Sequence, residues 1–230
     1  MHVPDGFLDG ATSLATAGVA VVAVAGALRG SRRELDERTA PLAGLVAVFV
    51  FAAQMVNFPV GAGTSGHVMG GVLAAVLVGP WTATLVLTVV LLVQALFFAD
   101  GGLTALGTNV TLIAVVAVWV GYGVCRLLQG LARSRRAVAV AAALAALVSV
   151  PAAALVFAGL WAVGGAAPID PGLLTTTMVG WHTLIGVGEA VITGLAVSAV
   201  VTTRPDIVYA ARHLLPQRRL ELRTGEQVPS

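Results

Sequence analysis

The sequence predicts an all-α, polytopic integral membrane protein with about seven transmembrane helices. Of the 230 residues, 58% are hydrophobic and only 10% are charged, a balance that excludes a soluble domain of this size. Apolar runs long enough to cross a bilayer recur along the chain. The 13 basic residues are all arginine and fall into three clusters between these runs. Such clusters indicate membrane topology and do not indicate a nucleic-acid-binding surface.

We predict spans at residues 12–29, 41–57, 67–80, 81–98, 109–128, 137–161 and 175–203. The arginine clusters lie at 29–38, 126–136 and 204–223, and basic loops favour the cytoplasmic side. With seven spans, all three clusters fall on one side if the N-terminus is outside and the C-terminus is cytoplasmic. The sequence therefore predicts a membrane domain over residues 1–203 and a cytoplasmic polar tail over 204–230.

The first apolar run is not typical of a secretory signal, because Asp5 and Asp9 precede it and Arg29 follows it. We therefore expect the N-terminus to be mature and Met1 to be retained, since His2 is bulky. The single cysteine, Cys125, excludes a disulfide framework.

The first residues, within a segment at 1–11, form a candidate metal chelate. His2 places an imidazole one peptide bond from the free amine of Met1. The amine, the His2 backbone nitrogen and His2 Nδ1 can then close two fused chelate rings on one ion. A fourth imidazole completes a square of nitrogens, which suits Ni(II) or Cu(II) and is open to low-spin Co(II). Pro4 fixes the backbone after the chelate, and Asp5 begins a turn that folds the amine back onto the protein. The alternative is that His2 is an incidental residue on a frayed terminus.

His67 is the candidate fourth nitrogen. From His67 to Gly79 the third span measures about 18 Å at 1.5 Å per residue, against a hydrocarbon core of about 30 Å. If its lower end reaches the inner interface, His67 lies below the outer surface. The loop at 59–66 must then be buried in protein or line a cavity, and the N-terminal segment would fill the space above it. The alternative is a helix-start histidine bonded to a carbonyl.

Four segments resemble the signatures of the CbiM/NikM family. They are MHVPDGFLD at 1–9, GTSGH at 63–67, QALFFADGGLTALGTN at 94–109 and HTLIGVGEA at 182–190. Members of this family are the substrate-capturing membrane subunits of energy-coupling-factor transporters for cobalt and nickel. The four segments occur in the right order over nearly the whole chain, and together they are a specific signal.

The resemblance implies that the Met1 amine, the His2 amide nitrogen, the His2 imidazole and the His67 imidazole bind one transported Co(II) or Ni(II) ion. It implies three kinds of partner: a transmembrane coupling subunit, ABC-type ATPase subunits and a small two-span accessory subunit. Some relatives carry the accessory portion fused at the C-terminus; this chain ends at Ser230 after a polar tail, so we expect no fused copy here. The implied location is the plasma (inner) membrane of a prokaryote.

We expect no catalysed covalent chemistry and no cofactor. The sequence has no nucleotide-binding loop, so ATP hydrolysis would come from the partner subunits. Metal affinity should fall as pH drops through the imidazole and amine titrations, because the ligand nitrogens must be unprotonated.

Three more polar residues are candidates for supporting the metal ligands. Asp100 could bond to one of the metal ligands or attract the metal ion at the outer face. The alternative is a turn residue before two glycines. Asn109 either bonds the N-terminal segment or caps a helix. Gln94 either orients His67 or makes a hydrogen bond between helices.

His182 and Glu189 are seven residues apart and so share one face of the last span. An intramembrane His and Glu are compatible with an enzyme or a proton relay, but the two histidines four apart of a metalloprotease are absent. We expect a paired, structural role, and His182 is also a candidate for supporting the metal ligands. Two further functions are compatible with a metal-binding or ligand-binding membrane subunit: a stand-alone secondary metal carrier and a capture subunit for an organic vitamin.

Overall fold

The computed structural model of the protein describes residues 1–37, 39–61, 64–130 and 134–214. Within these ranges the chain is a helical bundle with one short hairpin. The helices are α1 (Gly10–Gly30), α2 (Ala40–Gln54), α3 (Gly71–Val78), α4 (Pro80–Phe97), α5 (Leu106–Asn109), α6 (Val118–Gln129), α7 (Arg135–Gly164) and α8 (Pro171–Thr203). A stretch of π-helix (Val110–Ala117) joins α5 to α6, the strands are β1 (Phe58–Gly61) and β2 (Thr64–Gly66), and 3₁₀ turns cover Ser31–Arg33, Pro205–Ile207 and Tyr209–Leu214.

Five helical stretches in the described chain are long and apolar enough to cross a membrane. They are Gly10–Arg33, Pro80–Phe97, Leu106–Gln129, Arg135–Gly164 and Pro171–Thr203, with lengths of 18 to 33 residues. The predicted fold class, an all-α polytopic membrane protein, is confirmed. Each of the remaining two predicted spans contains a shorter helix, α2 of 15 residues and α3 of 8 residues. The count of seven crossings and the outside location of the N-terminus stay predictions.

The third predicted span is shorter than the sequence suggested. Helix α3 begins at Gly71 instead of His67, because Gly70 has a left-handed backbone with φ of 74°. It ends before Gly79, whose φ of 97° lies outside the helical range and changes the direction of the backbone before Pro80. All eight residues of α3 are buried. The helix is therefore the centre of the bundle and does not face lipid.

The segment before α3 forms a small antiparallel hairpin where the sequence predicted an irregular loop. Phe58 pairs with Gly66 and Pro59 pairs with Ser65. Pairing the strands with each other satisfies backbone groups that would be costly to bury unpaired. The hairpin delivers the chain to His67, which is buried immediately after β2.

Helices α7 and α8 pack against each other along their length, and α3 contacts both. The buried face of α7 is rich in alanine, and small side chains allow close approach of helix backbones in membranes. Helix α8 ends at Thr203. The first part of the predicted tail then packs on the bundle, with Val208, Ala210 and Ala211 buried, while residues 215–230 lie outside the described ranges.

Candidate metal site

The first three residues of the N-terminal segment, residues 1–9, lie inside the bundle, and the chain turns at Asp5 and Gly6. Met1, His2 and Val3 are 1%, 5% and 1% exposed. Val3 is held like a residue in a strand: its N–H donates to Asn109 Oδ1 at 2.7 Å, and its carbonyl accepts from Asn109 Nδ2 at 3.1 Å. The Val3 carbonyl also accepts from the N–H of Gly102 at 2.9 Å. Asn109 thus bonds the N-terminal segment and does not cap a helix.

A second set of contacts holds the rest of the segment. Asp5 Oδ1 accepts from the hydroxyl of Thr104 and from its backbone N–H, the latter at 2.7 Å, and these two bonds keep the pKa of Asp5 below its usual value. Asp9 donates its N–H to the Gly164 carbonyl at 2.7 Å and caps the start of α1 through Thr12. The segment is therefore fixed at both of its ends: residues 1–3 are buried, and Asp5 and Asp9 hold the exposed part.

The Met1 amine meets His67 inside the bundle. Met1 N is in hydrogen-bond contact with His67 Nε2, and His67 is 1% exposed. His67 Nδ1 lies 2.9 Å from the Val68 carbonyl, which can only accept, so Nδ1 carries the proton and Nε2 keeps its lone pair. The His2 and His67 rings are nearly parallel, with centroids 4.4 Å apart. All three residues predicted as metal ligands thus lie together.

Burial changes the ionisation of the Met1 amine. Loss of hydration lowers its pKa from 8.0 to about 4, although the nearby carboxylates Asp100 and Glu189 act in the opposite direction. The docked amine is therefore neutral at physiological pH and has a lone pair available for a metal ion. Because the undocked amine binds a proton below about pH 8, docking of the segment is favoured as pH rises and opposed as pH falls toward 4.

His2 is engaged differently from the predicted chelate. Its Nδ1, the atom expected to bind metal, lies 2.9 Å from Asp100 Oδ1, whereas its Nε2 is buried without a hydrogen-bond partner among the described residues. The physical reason is that a buried imidazole N–H requires an acceptor, and the carboxylate supplies one. The chelate therefore requires the imidazole to turn about its Cβ–Cγ bond.

Asp100 is a partner of His2 and not only a turn residue. Burial opposes its ionisation, but the hydrogen bond from His2, with a weaker one from Asn57, leaves the pKa of Asp100 below its ordinary value. Asn57 Nδ2 lies 3.2 Å from Asp100 Oδ2. We did not predict a role for Asn57 from the sequence. The only feature that could have indicated one is its position as a lone amide side chain in an uncharged loop.

Gln94 lies beside His2 and not against His67. Its side chain is fully buried and interacts with the His2 side chain as a hydrogen-bonding group, although no contact of its polar atoms meets full hydrogen-bond geometry in the described chain. The sequence left two roles open for Gln94, a hydrogen bond between helices or orientation of His67, and the structure places its side chain beside His2.

His182 and Glu189 do not form the pair that the sequence suggested. His182 Nδ1 bonds the Met178 carbonyl at 2.8 Å, and its Nε2 has no partner in the described structure. The Glu189 carboxylate accepts from the backbone N–H groups of Met69 and Gly70 at 2.7 and 2.9 Å. The reason is that the start of the buried helix α3 offers free N–H groups, which attract a carboxylate more strongly than a neutral imidazole does.

Side chains alone do not supply a metal site in the described residues, where no group of three or more His, Cys, Asp or Glu could hold an ion. The four nitrogens of the predicted site include an amine and a backbone amide. Its completion therefore depends on the position of the N-terminal segment.

A family described as "Cobalt uptake substrate-specific transmembrane region", CbiM, matches residues 2–207. The chain belongs to the CbiM family. It is accordingly a multi-pass membrane transport subunit and not an enzyme. The enzyme alternative built on His182 and Glu189 is thereby set aside.

Proteins similar to this chain occur in prokaryotes. A protein of Haloquadratum walsbyi named as a metal transport protein is 40% identical over 210 residues, covering 91% of this chain and 94% of that protein. A protein of Archaeoglobus fulgidus named as a fused nickel transport protein, NikMN, is 41% identical over 211 residues, covering 90% of this chain and 68% of that protein. A crystal structure titled as a truncated transition metal transporter has a TM-score of 0.82 at 32% identity, covering 88% of this chain and 99% of that one.

The docking of the N-terminal segment can be tested by chemical labelling of Met1. The chain has no lysine, so an amine-reactive ester modifies only the terminal amine. Asn109→Ala removes two hydrogen bonds and leaves the buried N–H of Val3 unpaired, at a cost of about 1 kcal/mol or more, while the Val3 carbonyl keeps its bond from Gly102. We expect labelling of the CbiM-family protein in detergent to be roughly 10- to 100-fold faster in this variant, measured by mass spectrometry.

Asn57→Ala is the matched control, because Asn57 is exposed and bonds Asp100 instead of the N-terminal segment. We expect its labelling rate to stay within about threefold of the unmodified protein, since a surface hydrogen bond contributes little. Equal labelling rates for Asn109→Ala and the unmodified protein would contradict the docked arrangement.

Proposed function

We propose that this subunit captures one Co(II) or Ni(II) ion in a square of four nitrogens. The ligands are the Met1 amine, the deprotonated His2 amide, His2 Nδ1 and His67 Nε2. The observation that carries the proposal is the burial of the Met1 amine against Nε2 of His67, with the His2 ring stacked beside it. A carboxylate-rich oxygen site would suit Mg²⁺ or Ca²⁺, whereas imidazole and amine nitrogens favour the later transition metals.

In the proposed capture step the His2 ring turns from Asp100 toward the ion. A half-turn of the ring exchanges the places of Nδ1 and Cδ2 and brings Nε2 to the side that faced Asp100. The carboxylate can then accept from Nε2–H, and a ligating histidine is held in this way in many metal sites. Asp100 is thus a partner of His2 in both arrangements. Its charge and the lost amide proton offset part of the charge of the ion.

The partners belong to the same proposal. The family is named as the substrate-specific region of an uptake system, which supports a role as one component of a larger transporter. The relative named as a fused protein carries about a third of its length beyond the part that this chain covers. We propose that a transmembrane coupling subunit, ABC-type ATPases and a small two-span accessory subunit complete an energy-coupling-factor transporter in the plasma membrane of a prokaryote.

The metal site can be tested by moving the amine. A version with several extra residues before Met1 moves the free amine away from His2 and places His2 well beyond third place, where no terminal amine can chelate together with it. We expect the affinity for Ni(II), measured by isothermal titration, to fall more than about 100-fold, because the amine ligand and the chelate ring that it closes are lost.

The matched control is the same extended protein after a protease has removed the extra residues, which should restore one-to-one binding. His67→Ala should lose affinity to a similar extent. Equal affinities before and after cleavage would refute the chelate and leave the fold unaffected.

The transport step can be tested in vesicles. This subunit alone should bind Ni(II) without sustained uptake, because the proposed mechanism takes its energy from ATP hydrolysis by the partner subunits. Adding the coupling subunit, the ATPases and internal ATP should give uptake of radioactive nickel. Sustained uptake by the single subunit under a proton or sodium gradient would instead identify a secondary carrier.

A further inference from the structure

Buried polar side chains from two separate helices form hydrogen bonds with the short turn between His67 and α3. Glu189 on α8, 1% exposed, accepts from the N–H groups of Met69 and Gly70 at 2.7 and 2.9 Å. Gln54 on α2, fully buried, donates to the Met69 carbonyl at 2.8 Å. Three hydrogen bonds from outside the segment therefore fix two consecutive residues.

The turn depends on these bonds because it has no local substitute for them. Among the described residues, the start of α3 has no side-chain cap from its own N-cap residue, Gly70, which adopts φ of 74°. A side chain at Gly70 would also meet Val50 at 2.8 Å. The N–H groups of Met69 and Gly70, just before the first turn of α3, are buried and cannot bond to water. The carboxylate of Glu189 supplies their acceptor and a charge that complements the helix N-terminus.

These hydrogen bonds are connected to Nε2 of His67, the proposed metal-binding nitrogen, through Val68. The carbonyl of Val68, next to Met69 in the chain, accepts from His67 Nδ1 at 2.9 Å. That bond sets the orientation of the ring and leaves the lone pair of Nε2 facing the Met1 amine. Movement of the Met69–Gly70 backbone would move the Val68 carbonyl and turn the ring with it.

We propose that Glu189, supported by Gln54, is a positioning residue for the ligand His67. It does not contact the ion. It holds the backbone that orients the imidazole, and it ties the geometry of the site to α8, while Gln54 ties the same backbone to α2. This inference rests on the proposed four-nitrogen site, since it assigns the role of Glu189 to the geometry of that site.

The chain contains a matched control for this proposal. Glu34 holds the start of α4 in the same manner, accepting from Trp81 N–H at 3.2 Å and Thr82 N–H at 2.7 Å. It is also buried, at 3% exposure. It lies at the opposite end of α3, beside Gly79, and holds no residue next to a proposed ligand. Loss of either carboxylate weakens a helix start, but only one of them lies next to the site.

The experiment compares Glu189→Gln with Glu34→Gln in the full chain with a free Met1 amine. Each substitution keeps the side-chain size, retains one acceptor and places an N–H₂ group against a backbone N–H. Ni(II) is added to each purified protein, and affinity and the d–d absorption band are recorded beside the thermal unfolding midpoint. We expect Glu189→Gln to bind Ni(II) roughly 10- to 100-fold more weakly, with a shifted or broadened band.

Glu34→Gln should keep the Ni(II) affinity within about threefold and leave the band unchanged, even if its thermal unfolding midpoint falls as much as that of Glu189→Gln. Gln54→Leu provides a second variant if Glu189→Gln does not fold, and it should give a smaller loss of affinity with a band displaced in the same direction. An unchanged affinity and band in folded Glu189→Gln would overturn the proposal. If Glu189→Gln does not fold, an unchanged affinity and band in Gln54→Leu would overturn it. So would equal losses in Glu189→Gln and Glu34→Gln.

The unmodified protein separates the two claims. A square-planar band there, with Glu189→Gln unaltered, would defeat only the positioning role. Absence of that band in the unmodified protein would defeat the four-nitrogen site, and the role of Glu189 with it.

Discussion

Burial of the chain's own N-terminus is the constraint that organises this protein. A free amine and several peptide groups lie inside a bundle of apolar helices, where each polar atom needs a partner. Asn109 and Gly102 bond Val3, Thr104 bonds Asp5, and His67 receives the amine. Because these partners come from separate parts of the chain, the segment can dock only when the bundle is assembled around it.

The same constraint accounts for the shape of the bundle. Met1 reaches His67 because α3 is only eight residues long and fully surrounded, which leaves room above it for the N-terminal segment. The hairpin of β1 and β2 closes its own backbone bonds beside this space. Glu189 then holds the junction below His67. A longer third helix would fill the volume that the terminus occupies.

Much of this arrangement could be predicted from the sequence, and the missing part has a physical explanation. Apolar runs and arginine clusters were sufficient for the membrane class, and the shortness of the third span pointed to His67. The Asp100 bond to His2 and the Glu189 bonds to Met69 and Gly70 were not predictable in the same way. They join residues 98 to 120 positions apart. The first depends on how the His2 ring is turned and the others on backbone N–H groups, and neither can be recognised from the residue types in the sequence.

The central claim is that the terminus itself is part of the metal ligand set. The most direct test is X-ray absorption at the nickel edge on Ni(II)-loaded protein with a free Met1 amine. We predict a square-planar ion with four nitrogen neighbours, two of them imidazoles, and no sulfur or oxygen bound to the ion. A six-coordinate ion with oxygen neighbours, or one bound by the thioether of Met1, would contradict it.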